Sequence, residues 1–209
     1  MSVTLHRHDL PDGLTFEKSI AVDTETQGLS LVRDKLCLVQ LSSGDGTAHI
    51  VQMDRASYDA PNLKAVLGDP SIEKIFHFAR FDVAVIKRDL GVDMTPVFCT
   101  KIASGLVRTY TDRHGLKDLC RELISVELSK QQQSSDWASD TLTEAQLNYA
   151  ASDVLYLHQL KTILTGRLIR EKRMDIAKAC FEFLPARADL DLLGWSEVDI
   201  FSHAFRSNS

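Results

Sequence analysis

The amino-acid sequence predicts a mixed α/β fold: a central sheet flanked by helices, with a helical C-terminal extension. Three observations carry this expectation. Short β-branched and apolar runs that suit strands are gathered before Lys101, and from Lys101 onward the apolar spacing suits helices only. No internal repeat and no Pro- or Gly-rich linker separates the two halves. A chain of 209 residues is long enough for one full core. We expect one α/β domain over residues 1–170, with residues 171–209 as a helical extension packed on it or forming an oligomer interface.

The elements read in order as follows. Val3 to His6 is a short strand, followed by Ser19 to Asp23, whose Ile20-Ala21-Val22 suits an enclosed pleated surface. Leu36 to Leu41 and Ala48 to Val51 are joined by Gly44-Asp45-Gly46, which predicts an antiparallel hairpin. Pro61 to Leu67 is a short helix ended by Gly68-Asp69-Pro70, and Lys74 to Phe78 returns to strand. Phe81 to Leu90 is helical, with Val85, Ile86 and Leu90 as its apolar stripe, and Val97-Phe98 is a last strand. Helices then cover Lys101 to Val107, Leu116 to Ile124, Glu144 to about Arg170, Ile176 to Phe183 and, more weakly, Ser196 to Phe205. Thr143 and Gln146 have the spacing of a capping box at the start of the long helix. The polar stretch Ser129 to Asp140 reads as a loop.

Composition excludes several classes. A hydrophobic share of 44% and a charged share of 25% are those of an ordinary globular protein. No apolar run approaches the ~20 residues of a membrane span, and the charged N-terminal region does not suit a signal peptide. Cys37, Cys99, Cys120 and Cys180 show no zinc spacing and sit in apolar surroundings, which suits reduced thiols and a cytoplasmic location. A net charge of −5 argues against broad grip on long nucleic acid. It leaves room for a small site where metal ions supply the positive charge.

The chemistry begins at Asp23-Thr24-Glu25. Residues two apart on a strand share a face, so both carboxylates point the same way and repel unless a cation neutralises them. On its own the motif reads more simply as a solvated acidic turn. Asp82, near a helix start, is alone equally an acid that suits the helix dipole. Tyr149 and Asp153, four apart, project from one face of the long helix, and Ala150 and Ala151 between them let another layer approach. Together, Asp23, Glu25, Asp82 and Asp153 make an all-oxygen set. Such ligands suit Mg²⁺ or Mn²⁺, whereas Zn²⁺ more often calls for His or Cys. Two such ions can activate water and stabilise the leaving oxygen of a phosphodiester, with the Tyr149 hydroxyl orienting the water.

The order of these motifs, with His77-Phe78-Ala79-Arg80-Phe81-Asp82 and Y-x-x-x-D, resembles the DEDDy branch of 3′–5′ exonucleases over residues 19 to 160. The segments Lys130 to Trp137 and Leu142 to Ala150 look like the ribonuclease D subfamily. The short build and the segments Phe181 to Pro185 and Leu192 to Glu197 look like the nanoRNase C family. The resemblance implies a ribonuclease H-like DEDD exonuclease fold and two divalent ions on the four acids. It also implies hydrolysis of short single-stranded RNA, dinucleotides especially, to nucleoside 5′-monophosphates. A general ribonuclease D-type RNA-processing exonuclease and a non-catalytic nucleic-acid-binding scaffold are the alternatives. One departure is Phe78 or Ala79, where many members have Asn.

Thr24, Leu29, His77, Gln133 and Ser134 are expected substrate contacts. The resemblance makes Leu29 a wedge between the last two bases. His77 reads as a satisfied core histidine or as a phosphate or sugar contact, and Trp137 as the anchor of its loop rather than a stacking platform. The basic cluster Arg167, Arg170, Lys172 and Arg173 reads as a solvated face or as a 5′-phosphate site. The apolar tail from Phe181 to Phe205 hints at a homo-oligomer.

Overall fold

The structure is a computed structural model that describes residues 2–129, 131, 132 and 134–203. Six strands form one sheet: β1 (Ser2–Arg7), β2 (Ser19–Thr26), β3 (Leu36–Ser42), β4 (Thr47–Gln52), β5 (Glu73–Phe76) and β6 (Val97–Cys99), in the order β1-β4-β3-β2-β5-β6. β3 is antiparallel to both β2 and β4, while β1 pairs parallel with β4 and β5 pairs parallel with β2 and β6. This is the mixed α/β architecture expected, and the hairpin β3–β4 turns at Gly44-Asp45-Gly46. Gly44 and Gly46 have φ of +79° and +87°, where glycine alone is unstrained, and a Cβ at Gly44 would strike the His158 ring.

Helices cover both faces. They are α1 (Pro61–Gly68), α2 (Ala79–Leu90), α3 (Thr100–Val107), α4 (Leu116–Ile124), α5 (Glu144–Leu155), α6 (Leu157–Arg170) and α7 (Met174–Leu192). β3 is buried along its whole length, which explains why it reads as a nearly continuous apolar run. α5 lies over β2, β3 and β4, where Leu38 and Ile50 pack with Ala150, Trp137 and Leu142. α2 packs on α7, β2, β3, β5 and β6.

Several boundaries differ from the sequence expectation, and the larger differences have physical reasons. The long helix divides at Tyr156, whose φ of −106° and ψ of −4° depart from helical values. α5 there follows the sheet, while α6 turns to pack on α3 and α4. β5 ends at Phe76, and His77 and Phe78 turn the chain into α2, with Phe78 in the left-handed region at φ +68°.

The helix expected from Ile176 to Phe183 is the middle of α7, which runs on through Pro185. Ala177, Phe181, Leu184 and Ala188 form a buried stripe at helical spacing, and its packing on α2 and β6 outweighs the lost backbone bond. No helix forms over residues 196–203. The carbonyl oxygens a helix would need there are taken instead by guanidinium groups. Arg80 donates to Ser196 O, and Arg187 to Trp195 O and Val198 O. Both arginines also pair with buried Asp191, tying this segment to α2 and α7. No helix of the described residues is long and apolar enough to cross a membrane.

Candidate active site

Strand alternation sends Ala21, Asp23 and Glu25 to the face covered by α5, and Thr24 to the face covered by α2. Carboxylate oxygens of Asp23, Glu25 and Asp153 all lie within 4.8 Å of one another. Asp82 reaches the same strand from the other layer. It is 4% exposed and accepts a hydrogen bond of 2.6 Å from the Thr24 hydroxyl. The acids therefore gather as three plus one, with Thr24 as the link. Thr24 was expected among the substrate contacts, and the proton of its hydroxyl goes to Asp82.

These residues line one cleft of about 380 Å³ together with Leu29, His77, Tyr149, Lys101 and Lys117. Its electrostatics are set by burial. Desolvation raises the Asp23 carboxyl, and it raises Glu25 with added repulsion from Asp23, Asp153 and Asp82. Asp82 and Asp153 are also raised, by burial first and by Asp23 second. Burial and the neighbouring carboxylates push the Tyr149 phenol up as well, so it keeps its proton. Gln40 stands opposite Asp23 in the β2–β3 register, fully buried, with neither amide atom partnered among the described residues. Crowded acids and an unsatisfied amide leave this corner short of positive charge and hydrogen-bond partners. Oxygen donors so arranged fit a hard divalent cation.

Tyr149 is fixed by its ring, which packs at 5.9 Å from that of Trp137. Trp137 is 3% exposed, so it anchors its loop and has no free face for a base. Leu29 is the opposite case, an apolar side chain 86% exposed at the cleft. Ser134 is exposed and is not among the residues described as lining the cleft, and Gln133 lies outside the described residues. Three of the four basic residues have partners of their own: Arg167 donates to the Tyr110 hydroxyl, Arg170 pairs with Glu171, and Arg173 donates to Leu106 O.

The cations on the cleft are instead Lys101 and Lys117, which sequence reasoning passed over. Lys101 Nζ stands 4.2 Å over the Phe78 ring. Phe78 itself has a left-handed backbone, a conformation that Asn adopts more readily than Phe. The departure from the DEDD resemblance read at Phe78 or Ala79 was the signal the sequence offered.

A family model described as a 3′–5′ exonuclease matches residues 9–169. The chain belongs to this 3′–5′ exonuclease family. NrnC of Brucella melitensis, solved with bound Mg²⁺, is 56% identical with a TM-score of 0.92, covering 98% of this chain and 100% of that one. The same protein bound to pGG is 57% identical with a TM-score of 0.93 over the same shares. Ribonuclease D of Acidiphilium cryptum is 32% identical over 166 residues, 79% of this chain but 42% of that protein. The chain thus spans less than half the length of that relative. The ribonuclease D-like, DEDD-type resemblance, read from motif order, and its nanoRNase C branch, read from the short build and C-terminal segments, both hold, as does the exonuclease fold.

Proposed function

We propose that this chain is a metal-dependent 3′–5′ exoribonuclease that hydrolyses short oligoribonucleotides, dinucleotides especially, to nucleoside 5′-monophosphates. The observation that carries the reading is the convergence of Asp23, Glu25 and Asp153, with Asp82 behind Thr24, in a small cleft. The solved complex of NrnC with pGG supports the substrate class, and its Mg²⁺-bound form supports the cation.

Asp23, Glu25, Asp82 and Asp153 would hold two ions, Mg²⁺ or Mn²⁺. When bound, these supply Lewis acidity at the scissile phosphate and ease deprotonation of water. The chain's own groups do the rest. Tyr149 orients the water through its protonated hydroxyl and is no general base. Water oxygen bonds to phosphorus, the bond from phosphorus to the 3′ oxygen breaks, and that oxygen leaves with a proton. Leu29 offers an exposed apolar edge to the terminal bases, and Lys101 and Lys117 offer charge to phosphates. Exposed Leu193, Trp195 and Phe201 support self-association through the segment after residue 170, which we treat as an extension of the catalytic domain.

A length series of 5′-phosphorylated RNA and DNA, from dinucleotides to about twenty nucleotides, tests the reading. Expected is cation-dependent cleavage with the highest kcat/KM on RNA dinucleotides. Equal or faster cleavage of the longer strands would return the chain to the general ribonuclease D reading. No cleavage under any cation would leave only a binding scaffold.

A further inference from the structure

His77 joins the cleft at the end of β5. The last paired residues of β2 and β5 are Ala21 and Ile75, and His77, the first residue after β5, lies at the same end of the sheet as Asp23 and lines the same cleft. Its Nδ1 lies 2.9 Å from the Thr100 hydroxyl, and that hydroxyl donates to the Phe76 carbonyl oxygen at 3.1 Å. A hydroxyl has one proton to give. The Phe76 carbonyl oxygen can only accept, so satisfying it takes that proton; toward His77 the hydroxyl then accepts, which favours the imidazole proton on Nδ1.

The ring is also held neutral. Burial, reinforced by the Lys101 charge, lowers its pKa to about 3. A neutral ring with Nδ1 protonated carries a bare lone pair on Nε2. That atom has no partner among the described residues, while the half-buried ring lines the cleft. The cleft therefore contains a fixed hydrogen-bond acceptor beside the acids. Phosphate oxygens are acceptors too, so this atom cannot serve them. At an RNA 3′ end the donors beside the last phosphate are ribose hydroxyls.

We propose that His77 is a specificity-determining residue whose Nε2 accepts a hydrogen bond from a ribose hydroxyl of the 3′-terminal nucleotide. This rests on the exonuclease reading above. Base amino groups are donors as well, but they lie farther along the nucleotide from its 5′ phosphate than the sugar does. His77 lines the same cleft as Asp23, where that phosphate would be held.

The test uses 5′-phosphorylated dinucleotides with a full ribose, a 2′-deoxy sugar or a 3′-deoxy sugar at the 3′ end, each with two different terminal bases. Wild type is compared with His77→Asn, which can reach only the Nδ1 position, and with His77→Gln, which can place a carbonyl oxygen near the Nε2 position. One neutral hydrogen bond predicts that Asn lowers kcat/KM on the ribose substrate by about five- to tenfold, mainly through KM. The loss should vanish on whichever sugar lacks the hydroxyl being read, and Gln should recover most of it. An equal loss on all three sugars, no loss, or a loss that follows the base overturns the proposal. Nitrogen NMR of the free protein gives an independent measure. A neutral Nδ1–H tautomer from pH 5 to 8 is expected, and an Nε2–H tautomer overturns the proposal whatever the kinetics. Wild type that cleaves none of these substrates overturns the exonuclease reading instead.

Discussion

The Thr24 hydroxyl donates to Asp82 Oδ1 at 2.6 Å, joining strand β2 to helix α2 at the point where the acids gather. Both groups are buried, so the bond is shielded from water. Thr24→Val keeps the shape and removes the donor. We expect a stability loss of about 1–3 kcal/mol and a higher cation concentration for half-maximal cleavage. Urea melts and a Mn²⁺ titration of activity check both, and an unchanged titration would make the bond purely structural.

Removing an acid should separate stability from activity. Asp23, Glu25 and Asp153 repel one another within 4.8 Å, so Asp153→Asn relieves strain in the cation-free protein. Its melting temperature should equal or exceed that of wild type, while cleavage disappears. Mn²⁺ should raise the melting temperature of wild type and leave that of the variant nearly unchanged. Wild-type turnover in Asp153→Asn would remove Asp153 from the site.

Tyr149→Phe keeps the ring against Trp137 and deletes only the hydroxyl. The expected result is a fall in kcat of about 100-fold with the thermal shift by Mn²⁺ intact. An unchanged kcat would mean that another group positions the water.

Leu29 is 86% exposed, so Leu29→Ser should alter stability by no more than about 0.5 kcal/mol. If its side chain meets the terminal bases, KM for a dinucleotide rises about tenfold. Steady-state kinetics on both proteins decide it.

Lys74 allows a prediction about pH. It is fully buried on β5, and its Nζ donates to the carbonyl oxygens of Asp69, Ile72 and Thr95. Burial lowers its pKa from 10.5 to about 8. Between those values the unfolded chain holds a proton that the native protein has released. Stability from this residue therefore rises with pH across that window and is absent below it. Denaturant melts at pH 7.5 and pH 10 should show a gain in wild type, about 1–3 kcal/mol larger than in Lys74→Met. Equal changes in the two proteins would show that Lys74 does not titrate there.

Much of this was legible in the sequence because it is local. The β3–β4 hairpin follows from Gly44 and Gly46, and Thr143 with Gln146 forms the capping box of α5 that their spacing predicts. The pairing of Asp23 with Glu25, and of Tyr149 with Asp153, follows from the periods of strand and helix. Motif order was enough to place the chain in its family.

What lay beyond the sequence was the meeting of distant elements. Only packing put Asp82 on the opposite layer from Asp153, split one helix into α5 and α6, and gave the carbonyls of the C-terminal segment to Arg80 and Arg187. It also brought Lys101 and Lys117 to the cleft and seated His77 against Thr100. Spacing along a chain decides which side of its own element a residue takes. Which layer then covers that side, and which proton or charge it finds there, depends on burial summed over the whole core, and that sum exists only once the sheet and its helices have closed.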